Sequence, residues 1–276
     1  MSSIVCVRGS DGIMLVSDGI TYNDEGVILG TRVSKVTPLV EWNAVIGNVG
    51  AGMVTQAFRN RLEAWPQNFD DIKGCAVNYL DDIYNQYRMQ NYGYSPDFTF
   101  ILAGWSEEHS EYQSFVVSSH DRFGDVLGAS GELETLPAWE LRTPQWFWAS
   151  TCPPPEYCKQ FGIDWQSDVG ICGAANSTDL AMRVLCANRA MSGPKDQLLT
   201  DDEGHYAVGG FIQMTILRKD SIEQRIIHRW PDEWGTRVDP TAGDPRPFLS
   251  WDPVTLLPLQ SGSPEPVNDN MEKTDA

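Results

Sequence analysis

The chain has 276 residues, 41% of them hydrophobic and 11% aromatic, with 38 acidic against 20 basic side chains and a formal net charge of -18. That balance argues against nucleic acid as the main partner, because a binder needs a basic face to neutralise phosphates, and equally against an anionic membrane surface. No segment reaches the roughly 18 consecutive apolar residues of a membrane span.

The N-terminus lacks the basic region and long apolar core of a secretory signal. A cytoplasmic protein is therefore expected, with its six cysteines (Cys6, Cys75, Cys152, Cys158, Cys172 and Cys186) as reduced thiols. Cys152 and Cys158 flank "PPPEY", a spacing too wide for a zinc knuckle and without a second pair nearby, so no metal and no cofactor is expected.

In chain order, the apolar runs Ile4-Val5-Cys6-Val7 and Ile13-Met14-Leu15-Val16 are separated by the turn Gly9-Ser10-Asp11-Gly12, which predicts a hairpin at the very start of the chain. "GVILGTRVSKV" predicts a further extended pair and "NAVIGNVG" another strand. From Ala51 the period becomes helical, with Met53, Val54, Ala57, Phe58, Arg61 and Leu62 on one face. A second helix, "DDIKGCAVNYLDDIYNQYRMQ", follows, with Asp70 and Asp71 suited to its N-terminal dipole. Strands return at "DFTFILAGW" and "EYQSFVVSSH". A stretch at about 121–167, rich in Trp and Pro, shows little periodicity and is expected to be an irregular insertion. Next come a strand, "DVGICGA", a helix, "STDLAMRVLCANRAM", with Ser177 as N-cap, and two strands, "AVGGFIQMTILR" and "SIEQRIIHRW". Residues 231–276 form an acidic Pro/Gly-rich extension, expected to be partly disordered.

Runs such as "FTFILAGW" and "FIQMTILR" are apolar on both faces, as expected of strands packed between a second sheet and a layer of helices. The order of elements predicts an α+β fold: a four-layer α/β/β/α sandwich, built as a single domain over 1–230.

The opening "SSIVCVRGSDGIMLVSDG" resembles the start of the mature proteasome β-type subunits and of the related bacterial protease rings, which are N-terminal-nucleophile (Ntn) hydrolases. "RVSKV", "IGNVGAG", "FILAGW" with "YQSFVVSSHDRFG", and "GGFIQMTIL" extend the resemblance in order, over about residues 2–118 and 168–230. The resemblance implies a proteasome-subunit-like sandwich and a hydrolase that cleaves an amide bond by acyl transfer. It places the nucleophile at Ser2, exposed as the first residue once Met1 is removed, where the family's proteolytic members mostly carry threonine. It places the supporting aspartate at Asp18, the lysine at Lys35 and the oxyanion-binding backbone amide at Gly50.

The physical logic is self-contained. A free α-amine, with an ordinary pKa of about 7.7–8.0, can accept the proton of its own residue's hydroxyl. A nearby ammonium lowers the nucleophile's pKa. The family's supporting Ser/Asp/Ser group would fall on Gly173 or Ala174, His205 and Val208, none of which is the family's residue. The resemblance further implies a peptide or amide substrate and a homo-oligomer, with a closed ring as one form. Two alternatives stand beside the peptidase: an inactive structural or assembly subunit on the same fold, and a small-molecule amidase.

Overall fold

Strand β1 (Ile4–Arg8) starts at the fourth residue and pairs antiparallel with β2 (Ile13–Asp18) through the Gly9–Gly12 turn. The computed structural model describes residues 3–243 apart from 24, 63–65, 92–95, 128–132, 145, 166–173 and 192–207. After β2 come a short hairpin, β3 (Thr21–Tyr22) and β4 (Ile28–Gly30), then β5 (Val36–Leu39) and β6 (Ala44–Gly50). Helices α1 (Met53–Leu62) and α2 (Phe69–Gln90) follow, with Asn68 capping α2 by accepting the Asp71 N–H at 3.0 Å.

Strands β7 (Phe98–Ser106) and β8 (Glu111–Ser118) form the next hairpin. Then come β9 (Arg122–Leu127), β10 (Leu133–Leu136), β11 (Phe147–Ala149), helix α3 (Pro155–Gln160), helix α4 (Ala174–Ala190), and the hairpin β12 (Phe211–Arg218) with β13 (Ser221–Arg229). The expected strand "DVGICGA" lies almost wholly outside the described residues. Helix α4 begins three residues before Ser177, which is therefore inside it and not its N-cap.

Two sheets stack face to face. One has the order β11-β1-β2-β12-β13 and the other β5-β6-β7-β8. Between them lie Ile4, Cys6, Leu15, Val45, Ile101, Val116, Trp148 and Leu217. The outer face of the first sheet packs Val5, Val16, Ile212 and Met214 against Leu180, Val184 and Leu185 of α4. The outer face of the second packs Ile46, Phe100 and Leu102 against Phe58 of α1 and Ile72 and Leu80 of α2. Alternate residues of one strand thus serve two cores, which is why these strands read as unbroken apolar runs. The four-layer α/β/β/α sandwich is the observed fold.

The stretch read as irregular at 121–167 contains three strands and a helix. Its β11 is the outer strand of the first sheet, paired with β1 in the register Val5↔Ala149, Cys6↔Trp148 and Val7↔Phe147. Phe147 faces α4 and Trp148 is fully buried between the sheets, so the alternation is present. It spans only three residues inside an aromatic-rich segment, too few for a period of two to stand out. Burial also sets the chemistry of Cys6: its thiol is pushed up to about 12, so it is an inert core residue and not a nucleophile.

Candidate active site

The chain enters the fold through Ser3, which is fully buried. Its N–H donates to Asp18 Oδ1 at 2.9 Å, and its carbonyl accepts the Asp18 N–H at 3.2 Å. The residue bonded to that Ser3 nitrogen is Ser2, the sequence-predicted nucleophile, which itself lies outside the described residues. Asp18 ends β2 and is fully buried. Its Oδ2 accepts the Ile20 N–H at 3.3 Å, so both carboxylate oxygens are held by backbone.

Lys35 sits half-buried just before β5, and its ammonium donates to the Ile20 carbonyl, two residues past Asp18. Burial pushes the Asp18 carboxyl above the usual carboxylate range, while the Lys35 charge and the Ser3 and Ile20 N–H groups pull it back. Burial likewise pushes Lys35 below the usual lysine range, opposed by the Asp18 charge. The two groups therefore share one poorly solvated corner at the end of β2.

Gly50 closes β6. The Lys35 carbonyl accepts the Asn48 N–H at 3.1 Å, which puts Gly50 two residues along β6 from that contact. Gly50 has φ +98°, and a Cβ there would lie 2.2 Å from the Asp97 carbonyl oxygen. Only glycine fits both conditions. Gly50→Ala is expected to cost at least about 1–3 kcal/mol from backbone strain, read as a lower urea midpoint. An unchanged midpoint would show that this backbone is not where the fold requires it.

Of the predicted supporting positions, Gly173 and His205 lie outside the described residues, and Val208 is a fully buried apolar residue of the α4 core. The polar support around Ser3 comes from elsewhere. Asn188 Nδ2, on α4, donates to Ser3 Oγ at 2.9 Å and to the Thr151 carbonyl at 3.1 Å. Ser150 Oγ accepts the Ile4 N–H at 2.9 Å, and the Ser150 N–H donates to the Ile4 carbonyl at 2.9 Å.

Both residues went unnoticed in the sequence. A signal for Asn188 was present: it lies four residues after Val184 and three after Leu185, on the face that α4 buries. No such signal marks Ser150, whose place depends on β11. Among the described residues no cluster of three or more His, Cys, Asp or Glu side chains gathers where a metal would sit.

The segment that leads into β12 lies beside Asp18. The Gly19 N–H donates to the Gly209 carbonyl at 3.0 Å, and Gly210, at φ +74°, lies so near the Gly19 and Thr31 carbonyls that a Cβ would come within 2.7 Å of each oxygen. Behind it Arg189 and Asp232 form a bidentate pair at 2.9 and 3.0 Å, with side chains 1% and 2% exposed. Asp232 Oδ2 also accepts the Gly210 N–H at 2.6 Å.

Two solved structures resemble this fold along most of their length. Anbu (ancestral beta-subunit) from Yersinia bercovieri superposes with a TM-score of 0.53 at 13% identity, covering 82% of this chain and 87% of its own. The Anbu (Gly-1) mutant from Hyphomicrobium sp. strain MC1 gives 0.50 at 15% identity, covering 83% and 87%. The chain has an Anbu-like fold.

No protein-family model matches the chain, and no curated protein sequence does. This corrects the family reading made from the sequence. The four-layer sandwich is present, but no family model places the chain among the proteasome β-type subunits or bacterial protease rings; its likeness is to Anbu, at the level of fold. The physical reason lies in the segments that carried the resemblance. At Gly12, Gly50 and Gly210 an added Cβ would come within 2.4, 2.2 and 2.7 Å of backbone oxygens, so these glycines are what the sandwich itself requires and report the fold. No helix of the described residues is long and apolar enough to cross a membrane.

Proposed function

We propose that the chain is an N-terminal-serine hydrolase that cleaves amide bonds, peptides first among them, by acyl transfer once Met1 is removed. Ser2 Oγ attacks the carbonyl carbon and gives its proton to the Ser2 α-amine. The amine passes that proton to the leaving nitrogen as the C–N bond breaks, leaving an acyl ester on Ser2. Water, deprotonated by the same amine, then hydrolyses the ester and frees the acid. Lys35 holds positive charge beside the reacting oxygen, Asp18 orients that charge, and the Gly50 N–H receives the oxyanion, a contribution of about 3–4 kcal/mol for one such donor.

The observation that carries this reading is the Asp18 corner. A fully buried carboxylate binds the N–H of the residue next to Ser2 while a half-buried lysine acts on it. An ordinary chain start has no use for a buried charge, which costs desolvation free energy. The same reading includes a homo-oligomer, with a ring as one form, and a cytoplasmic location where Met1 is trimmed; solution mass tests the first.

Intact-mass measurement after exposure to an electrophile that caps N-terminal nucleophiles tests the chemistry. The protein from its native host is expected to lack Met1 and to gain one adduct, and Ser2→Ala to gain none with its fold unchanged. Equal labelling of Ser2→Ala would end the assignment. Retained Met1 would leave the α-amine on the wrong residue and favour a scaffold without chemistry.

A further inference from the structure

Outside the candidate active site, the described residues contain a cleft of about 350 Å³ between the segment 32–34 and the β12–β13 hairpin. Three guanidinium groups line it: Arg32, Arg225 and Arg229. Arg225 is engaged by Glu223, its Nε lying 2.8 Å from Oε1. Arg32 and Arg229 are exposed, and among the described residues neither forms an ion pair within 4 Å.

Among the described residues no carboxylate pairs either of these two arginines, in a chain with 38 acidic side chains. Gln213 and Gln224 complete the polar lining, and the apolar surface the cleft offers is Ile226, 45% exposed; the Phe211 ring is buried and sits 5.8 Å beneath the Arg229 guanidinium. Stacking on an aromatic face holds a guanidinium's planar fork ready for two parallel hydrogen bonds to one carboxylate.

We infer that this cleft binds a small carboxylate-bearing molecule with an apolar body, its carboxylate on Arg32 and Arg229, the latter backed by Phe211, and its body on Ile226. The volume suits a ligand of one or two amino-acid residues, at the small end of ordinary ligand pockets of roughly 300–1,000 Å³. The site is separate from the Asp18 corner but backs onto it. The Phe211 ring packs on Gly19, next to Asp18, and Ser34 in the cleft wall precedes Lys35. The inference does not depend on the hydrolase reading.

Calorimetric titration of the full chain and of Ser2→Ala, with N-acetylphenylalanine, its neutral amide and inorganic phosphate as probes, tests it. The acid is expected to bind both proteins alike, at least tenfold more tightly than the amide and more tightly than phosphate. Its affinity should fall as ionic strength rises from about 0.01 to 0.1 M, where the screening length shortens from about 30 to 10 Å. Arg32→Ala/Arg229→Ala is expected to lose at least tenfold in affinity at an unchanged melting temperature. Should that variant not fold, Arg32→Gln at its exposed position carries the same expectation. Equal binding of acid and amide, tighter binding of phosphate, full affinity in the arginine variants, or no binding of the acid would each overturn the inference.

Discussion

Replacing Asp232 by Ala is expected to destabilise the protein by about 3–5 kcal/mol, the usual cost of removing one partner from a buried ion pair. The magnitude follows from what is left behind. Among the described residues Arg189 is the second-largest fully buried side chain after Trp148, and its charge would lose the carboxylate that binds it bidentately. It would keep the Val208, Asp239 and Ala242 carbonyls at 2.9, 2.9 and 3.2 Å and the Trp230 ring, which soften the loss without neutralising the charge. For a domain of this size the melting temperature should fall on the order of 10 °C. The double replacement Arg189→Met/Asp232→Leu should lose less than Asp232→Ala alone, because it leaves no charge unpaired. A single variant as stable as wild type, or a double variant less stable than the single, would show that the pair does not hold the structure together.

That pair also explains part of what sequence reasoning missed. Asp232 falls in the stretch that composition marks as an extension, and it is 43 residues from Arg189. Nothing local links the two, and the link is what fixes residues 230–242 against α4. The strands were legible because each apolar run serves two cores at once, as Phe98–Ser106 does with seven of its first eight residues buried. Helices α1 and α2 were legible because their buried residues recur with the helical period. Strand β11 was not, since three residues carry no period, and with it Ser150 and Thr151 stayed hidden from the site.

The site itself divides the same way. Asp18, Lys35 and Gly50 were proposed through the family resemblance of the segments that hold them, and the fold brings Lys35 to bear on Asp18. Asn188 was marked only as a polar residue on the buried face of α4; that it meets Ser3 depends on α4 crossing the start of β1. The positions expected to carry a supporting serine and aspartate by analogy hold no such pair: Val208 is core. The polar contacts of Ser3 come instead from Asp18 and Asn188. A fold can therefore be read from periodicity while the details of its site depend on long-range crossings that periodicity does not record.

Lys35 carries the second large effect. If Ser2 is the nucleophile, Lys35→Met is expected to slow electrophile capture by about 10²–10⁴-fold, the range over which one positioned proton-handling or charged group acts. The pH dependence separates the two charged partners. The rate should rise as the Ser2 α-amine loses its proton, near its ordinary value of about 7.7–8.0. It should fall again when Lys35 loses its own proton, and burial moves that alkaline limb below the usual lysine range.

Stability has its own sign. A lysine held below its unfolded value binds fewer protons in the native state, so its contribution to stability rises with pH between the native and the unfolded values. Activity and stability are thus expected to move in opposite directions across that alkaline window. Lys35→Arg is the decisive variant, since arginine keeps its charge throughout. Its poorer fit lowers the plateau, but the alkaline fall in rate should vanish. An alkaline limb that persists unchanged in Lys35→Arg would assign it to another group and remove Lys35 from the mechanism.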